Sequence, residues 1–252
     1  MQQNYALGRI TDLTNNHHGL VVGPELPEDH LAYHNRLFLQ YWGAPPWAEG
    51  ANFDPGYQKE FSNSGRNAYF VLDGPLNIRV PEQLLSLNGG EYVAVTNKVI
   101  SAVRAHPGAY GFRICWPEPT AHNLPRLLHH DRTADLESRF NQWLVGHFLA
   151  DHPLATNLGE LKRWHYEGQI DYLPKTFTGE REFITVEGGE LEFTFPNGEI
   201  PTLRVKAGEY FVLQGGVTKI VKVISYPVHG LCLRWPSFPN INQVGAVASA
   251  RV

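Results

Sequence analysis

The chain has 252 residues, a formal net charge of -4 and 42% hydrophobic residues, enough for a packed core in one large domain or two small ones. Mild acidity without a basic run excludes nucleic acid and anionic membrane as expected partners. Two cysteines, Cys115 and Cys232, exclude a disulfide framework, and no apolar stretch approaches the ~18 residues of a membrane helix.

The N-terminal MQQNYALGRITDLTNNHHG lacks a charged-then-apolar signal pattern, so a soluble cytoplasmic protein is expected. Residues 1–35 read as irregular. His30 and His34 stand four apart, a spacing that forms half a metal site on a helix. No third ligand is near in sequence, and surface or capping histidines are the expected reading. Arg36–Trp42 reads as a strand, followed by a loop rich in Pro, Gly and Trp.

From residue 68 short β-rich runs follow at regular spacing: 68–73, 76–80, 91–95, 100–103 and 111–117. The join Asp73-Gly74 predicts a hairpin. Residues 131–151 read as one helix, with Thr133 as N-cap and Leu136, Phe140, Trp143, Leu144 and Phe148 as its apolar stripe. That helix is either a core-packing linker or a dimer contact. From 160 the strands return, through 161–164, 183–187, 191–195, 203–205, 210–213, 220–224 and 230–236. The tail from Ser237 to Val252 shows no clear element.

The two β-regions share their punctuation. Gly74 matches Gly189, Gly90 matches Gly208 and Gly111 matches Gly230, at nearly constant offset. Both carry Gly-Glu-Tyr, and both close on Trp-Pro, at Trp116-Pro117 and Trp235-Pro236. The expected organisation is a duplicated unit: a first barrel over 1–117, a helical connector over 118–155 and a second barrel over 156–252. Six to eight short strands per unit favour a closed or jelly-roll barrel, which leaves no edges and has room for side chains or one small ligand.

These residues resemble the cupin superfamily, whose motifs are G(X)5HXH(X)3,4E(X)6G and G(X)5PXG(X)2H(X)3N. The resemblance covers both β-regions and implies an all-β bicupin, two double-stranded β-barrels in one chain. Gly208, Gly216 and Lys219 fit the second motif's spacing, with Lys219 at the histidine position. Glu182 stands at the first motif's glutamate. The two histidine positions fall on Thr176 and Thr178, or on Lys175 and Phe177. In the first half Asn67 replaces the glutamate and Ser101 the second-motif histidine.

Cupin metals typically take three histidines and one glutamate, a set missing from both halves, and the ammonium of Lys219 would repel a cation. No metal and no cofactor is therefore expected. Glu182 and Lys219 are expected as an ion pair inside the second barrel. That pair is a structural device, an anchor for a small anionic or carbonyl ligand, or a catalytic couple in which a deprotonated lysine serves as base or nucleophile. Thr176, Thr178, His165 and Tyr166 complete the candidate pocket, the last two as an aromatic rim for a ring or sugar. Trp42, Trp47 and Tyr57 are the counterparts in the first barrel, which lacks the charged pair and reads as structural.

The leading expectation is a metal-free small-molecule-binding protein, taking a sugar or carboxylate in its second barrel. The alternative is a metal-independent isomerase, epimerase or lyase acting on a sugar or carbonyl acid; a third is a scaffold. Cupins often pair through sheet faces, which implies a homodimer.

Overall fold

The computed structural model describes residues 4–16, 18–55, 65–81, 83–96, 100–117, 128–147, 149, 152–167, 174–177, 179–198 and 200–236. The chain divides into two compact units, one of residues 9–142 and one of residues 143–252 joined by residues 1–8.

The first unit holds nine strands among the described residues. Its larger sheet has six strands: β2 (Leu20–Val22), β3 (Phe38–Gly43), β4 (Gly65–Asp73), β7 (Glu91–Thr96), β9 (Tyr110–Pro117) and β10 (Leu128–Arg132), in the order β10-β7-β4-β9-β3-β2. A three-stranded sheet is formed by β5 (Leu76–Val80), β6 (Gln83–Leu87) and β8 (Ala102–Ala105). Apolar residues of the two sheets meet in one cluster, with Tyr69, Val71, Val93 and Val95 from the first and Leu76, Ile78 and Leu87 from the second. Period-two strands bury alternate side chains this way. A short helix α1 (Ile10–Asn16) opens the unit.

In the second unit the organising strand is β18 (Thr218–Trp235), 18 residues long. Its first half pairs with β15 (Gly188–Thr194), which also pairs with β16 (Leu203–Lys206). Its second half pairs with β12 (Glu160–Tyr166) and β14 (Arg181–Val186). One strand thus runs through both walls and nearly closes the sheet into a barrel. The wall continues through β17 (Glu209–Gln214) and β11 (Trp143–Val145), while the two-residue β13 (Lys175–Thr176) lies against the start of β18. Ile184, Phe193, Phe211, Leu213 and Val223 fill the interior.

The matched glycines do matched work. Gly111 and Gly230 lie in register opposite Trp42 and Trp164. A β-carbon at either would strike a backbone carbonyl, of Phe70 or Thr185, and the indole. The turns at Gly90 and Gly208 both take φ +84°, and those at Gly74 and Gly189 take +68° and +74°, where side chains other than hydrogen are strained. Gly230→Ala is expected to cost about 1–3 kcal/mol or more, from overpacking against an unyielding strand. A chemical melt superimposing on wild type would refute that account.

Three sequence expectations are corrected. Residues 131–151 are not one helix. Asp131 and Arg132 end β10, paired in register with Tyr92 and Glu91 of β7; helix α2 covers only Thr133–Arg139; and Trp143–Val145 is a strand on β12. Asn141 and Gln142 take φ of +51° and +69°, which breaks any continuing helix, and Trp-Leu-Val suits a strand better. The connector expected over 118–155 is therefore divided between the two units, and Arg132, not Thr133, is the N-cap, without a side-chain cap bond. Asp73-Gly74 does not make a hairpin: it carries the chain from β4 to β5, strands of different sheets. The N-terminal segment, expected with the first barrel, supplies β1 (Tyr5–Arg9) to the second unit's sheet beside β17. The tail 237–252 lies outside the described residues.

Candidate functional site

Strand alternation aims the site. On β14 Glu182 shares a face with Ile184, on β18 Arg234 shares one with Cys232, and Ile184 and Cys232 both belong to the interior cluster. Glu182 and Arg234 are cross-strand partners, so their side chains meet there. Lys162 on β12 is the register partner of Cys232. Lys219, early in β18, comes from the opposite wall and is paired in register with Lys175 of β13.

These side chains converge on one carboxylate. The Lys219 ammonium contacts Oε2 of Glu182. Arg234 donates from Nε and Nη2 to Oε1, each at 2.8 Å. The Cys232 thiol approaches Oε1 at 3.5 Å. Glu182 is 1% exposed and Lys219 6%. The guanidinium of Arg234 lies 5.4 Å from the Trp143 ring and 5.3 Å from that of Phe177, and Lys162 Nζ lies 5.7 Å from Trp143. Such cation–ring contacts replace part of the hydration that burial removes. The next carboxylate along the row, Glu160, is held by His147 Nδ1 at 3.2 Å.

Two cationic side chains, Lys219 and Arg234, thus contact one carboxylate, and the lysine amines nearby record the crowding of positive charge. Burial pushes the Lys219 amine down to about 7, with Arg234 and Lys175 adding to the fall and Cys232 opposing it. Burial likewise pushes Lys162 down to about 8, with Arg234 and Lys175 again adding to the fall and Cys232 opposing it. Lys175 is lowered by burial and by Arg234.

The expected Glu182–Lys219 pair is present in this structure. Thr176 is exposed, its hydroxyl 2.5 Å from that of Thr218. Thr178 lies outside the described residues. Tyr166 packs on the interior cluster beside Trp164, with ring centroids 5.8 Å apart. His165, between them on the strand, points to the other face and is exposed; it does not join the site. Arg234, Lys162, Cys232 and Trp143 were missed as site residues, while Lys175 and Phe177 stood only as the alternative histidine positions of the first motif. Reading β18 at period two back from Arg234 through Cys232 to Gly230 puts all three on one face, a signal that was available; Trp143 was assigned to a helix.

In the first unit Asn67 accepts a 2.6 Å hydrogen bond from Nε of Arg113, both fully buried. The guanidinium lies over the rings of Phe38 and Tyr69. This interior, expected to lack the charged pair of the second, holds an arginine. Ser101 is exposed and bonds the Arg79 carbonyl. His30 and His34 act as local caps: their Nδ1 atoms accept backbone N–H groups of Ala32, and of Arg36 and Leu37.

No family model and no curated protein matches the sequence. Solved structures do match. The bacterial pirin YhhW of Escherichia coli, solved in complex with nickel(II), is similar over 93% of this chain and 100% of its own, with TM-score 0.55 and 14% identity. A putative glyoxylate-induced protein of Pseudomonas aeruginosa aligns over 92% of this chain and 79% of its own, with TM-score 0.54 and 13% identity. Salicylate 1,2-dioxygenase of Pseudaminobacter salicylatoxidans aligns over 91% and 84%, with TM-score 0.53 and 10% identity.

The fold is a cupin-type β-barrel fold, shared with these structures. At such identities the likeness establishes architecture and nothing about chemistry. The metal set typical of cupins does not fit the residues present. Both oxygens of Glu182 are taken by cations, and the histidine position holds an ammonium. Among the described residues no three His, Cys, Asp or Glu side chains gather as a metal site, and no helix is long and apolar enough to cross a membrane.

Proposed function

We propose that this bicupin-like chain binds a small anionic molecule in its second unit without a metal, with Lys219, Arg234, Lys162 and Lys175 as the anion's contacts. The observation that carries this reading is the local density of positive charge: Lys219 and Arg234 both contact Glu182, Lys162 and Lys175 lie near enough to Arg234 to feel its charge, and Lys219 and Lys162 are pushed toward neutrality by burial. An arriving carboxylate compensates the unbalanced charge and lets both lysines take up protons. Arg234, held by Glu182 Oε1 through its Nε and Nη2 and flanked by aromatic rings, is already oriented to present further donors. Depth is graded, from exposed Lys175 through half-buried Lys162 and Arg234 to buried Lys219.

The test is binding of small carboxylates such as lactate and pyruvate, by calorimetry on the intact protein. The groups facing the site are Lys162, Lys175, Lys219, Arg234, Glu182 and Cys232, with Glu160 and His147 next to them. An anion binds the protonated lysines, so affinity is greatest below about pH 7 and falls as pH rises through 7 and 8, by up to about tenfold per pH unit for each lysine. Lys162→Gln should weaken binding about tenfold while the protein stays folded. Binding that is absent, or indifferent to pH over 6 to 9, refutes the proposal.

A further inference from the structure

We propose that Lys219 forms a reversible imine with a small 2-oxo acid, whose carboxylate is held by Lys162, Lys175 and Arg234. This inference rests on the anion-binding reading of the same site and adds a covalent step.

Three observations support it. First, the amine is placed against a carboxylate: Lys219 Nζ contacts Oε2 of Glu182, which Arg234 fixes through its other oxygen. A lysine that attacks a carbonyl must first lose a proton, and Glu182 is in position to receive it. Second, burial and two neighbouring cations weaken the ammonium, so the free amine is available near neutral pH. Third, the surroundings divide by depth. The remaining cations lie toward solvent, while the inner side of Lys219 is aromatic, with the Phe193 ring 6.0 Å from Nζ. A 2-oxo acid carries its carboxylate and its carbonyl on adjacent carbons. With the carboxylate toward Lys162 and Lys175, the carbonyl carbon faces Lys219.

The step balances without a redox partner. The Nζ lone pair adds to the carbonyl carbon, and one proton moves from the new ammonium nitrogen to the former carbonyl oxygen to give a carbinolamine. The proton held by Glu182 passes to that hydroxyl, which leaves as water as the C=N bond forms. Amine and ketone are consumed, imine and water are produced, and hydrolysis reverses the step.

The experiment incubates the intact protein with pyruvate and borohydride, then measures intact mass and maps the modified peptide. Lactate, which has the carboxylate but no ketone, serves as competitor. The expected result is a mass gain of one reduced pyruvyl group per chain, located on Lys219, suppressed by lactate and lost in Lys219→Gln. Because the label is mapped on wild-type protein, the result does not depend on that variant folding. If pyruvate and lactate both bind and no label appears, or the label falls on Lys162 or Lys175 and not on Lys219, the imine proposal is overturned and anion binding stands. If neither binds, both readings fall.

Discussion

Replacing Glu182 by Gln should destabilise the protein by about 3–5 kcal/mol, on the order of 10 °C in melting temperature. The reason is an asymmetry in the cluster. Glu182 is the one carboxylate contacting both Lys219 and Arg234, and it is 1% exposed. Its neutral amide still accepts a hydrogen bond but leaves the ammonium and the guanidinium facing each other across a site from which water is largely excluded. Removing a cation is milder. In Lys219→Met the carboxylate keeps both bonds from Arg234, and the thioether fits beside Phe193 and the interior cluster. Glu182→Gln should therefore melt well below Lys219→Met. A small carboxylate should restore part of the loss, about 2.7 kcal/mol at a concentration one hundred times its Kd. Thermal melts of both variants with and without lactate decide it: equal losses, or a Glu182→Gln protein deaf to added anion, would sink the account.

Stability itself should rise with pH between about 7 and 10. Lys219 and Lys162 have folded-state values near 7 and 8, below the ordinary lysine value of 10.5. Over that interval the unfolded chain holds protons that the folded chain has released. A depressed amine contributes stability that is complete above the unfolded value and is lost as pH falls toward the folded one. The slope reaches about 1.4 kcal/mol per pH unit for each lysine at its steepest. Burial sets these values first, followed by Cys232, which opposes the fall, and by Arg234 and Lys175, which add to it; Glu182, His147 and Glu160 are the other titratable groups close by. Denaturant melts from pH 6.5 to 9.5 measure the slope, and Lys219→Met should remove roughly half of it. A flat or falling curve would mean that Lys219 stays fully charged in the folded protein, which would also remove the free amine that imine formation needs.

Much of the architecture was legible in the residues because its determinants are local. Glycines such as Gly90 and Gly208 mark turns wherever they are placed, since only glycine adopts that conformation without strain. Period-two runs such as Leu161–Trp164 declare strands, and a charged residue inside such a run declares an inward-facing group. The family spacing then put Glu182 against Lys219 from a separation of 37 positions, and the pair is there.

Long-range arrangement decided the rest. The steps of three and four from Leu136 to Trp143 are met as well by a seven-residue helix and a strand as by one long helix. Only pairing with β12 chooses between them. Asp73-Gly74 has hairpin chemistry, yet its strands join different sheets, because partner choice belongs to the whole barrel. The charge surplus is likewise invisible along the chain. Lys162, Lys175, Glu182, Lys219 and Arg234 lie on four strands, and their sum matters only where β18 runs through both walls and brings them to one place. Side-chain type and backbone preference are carried by each residue alone; the low dielectric that turns five ordinary charges into a site exists only once the barrel has closed around them.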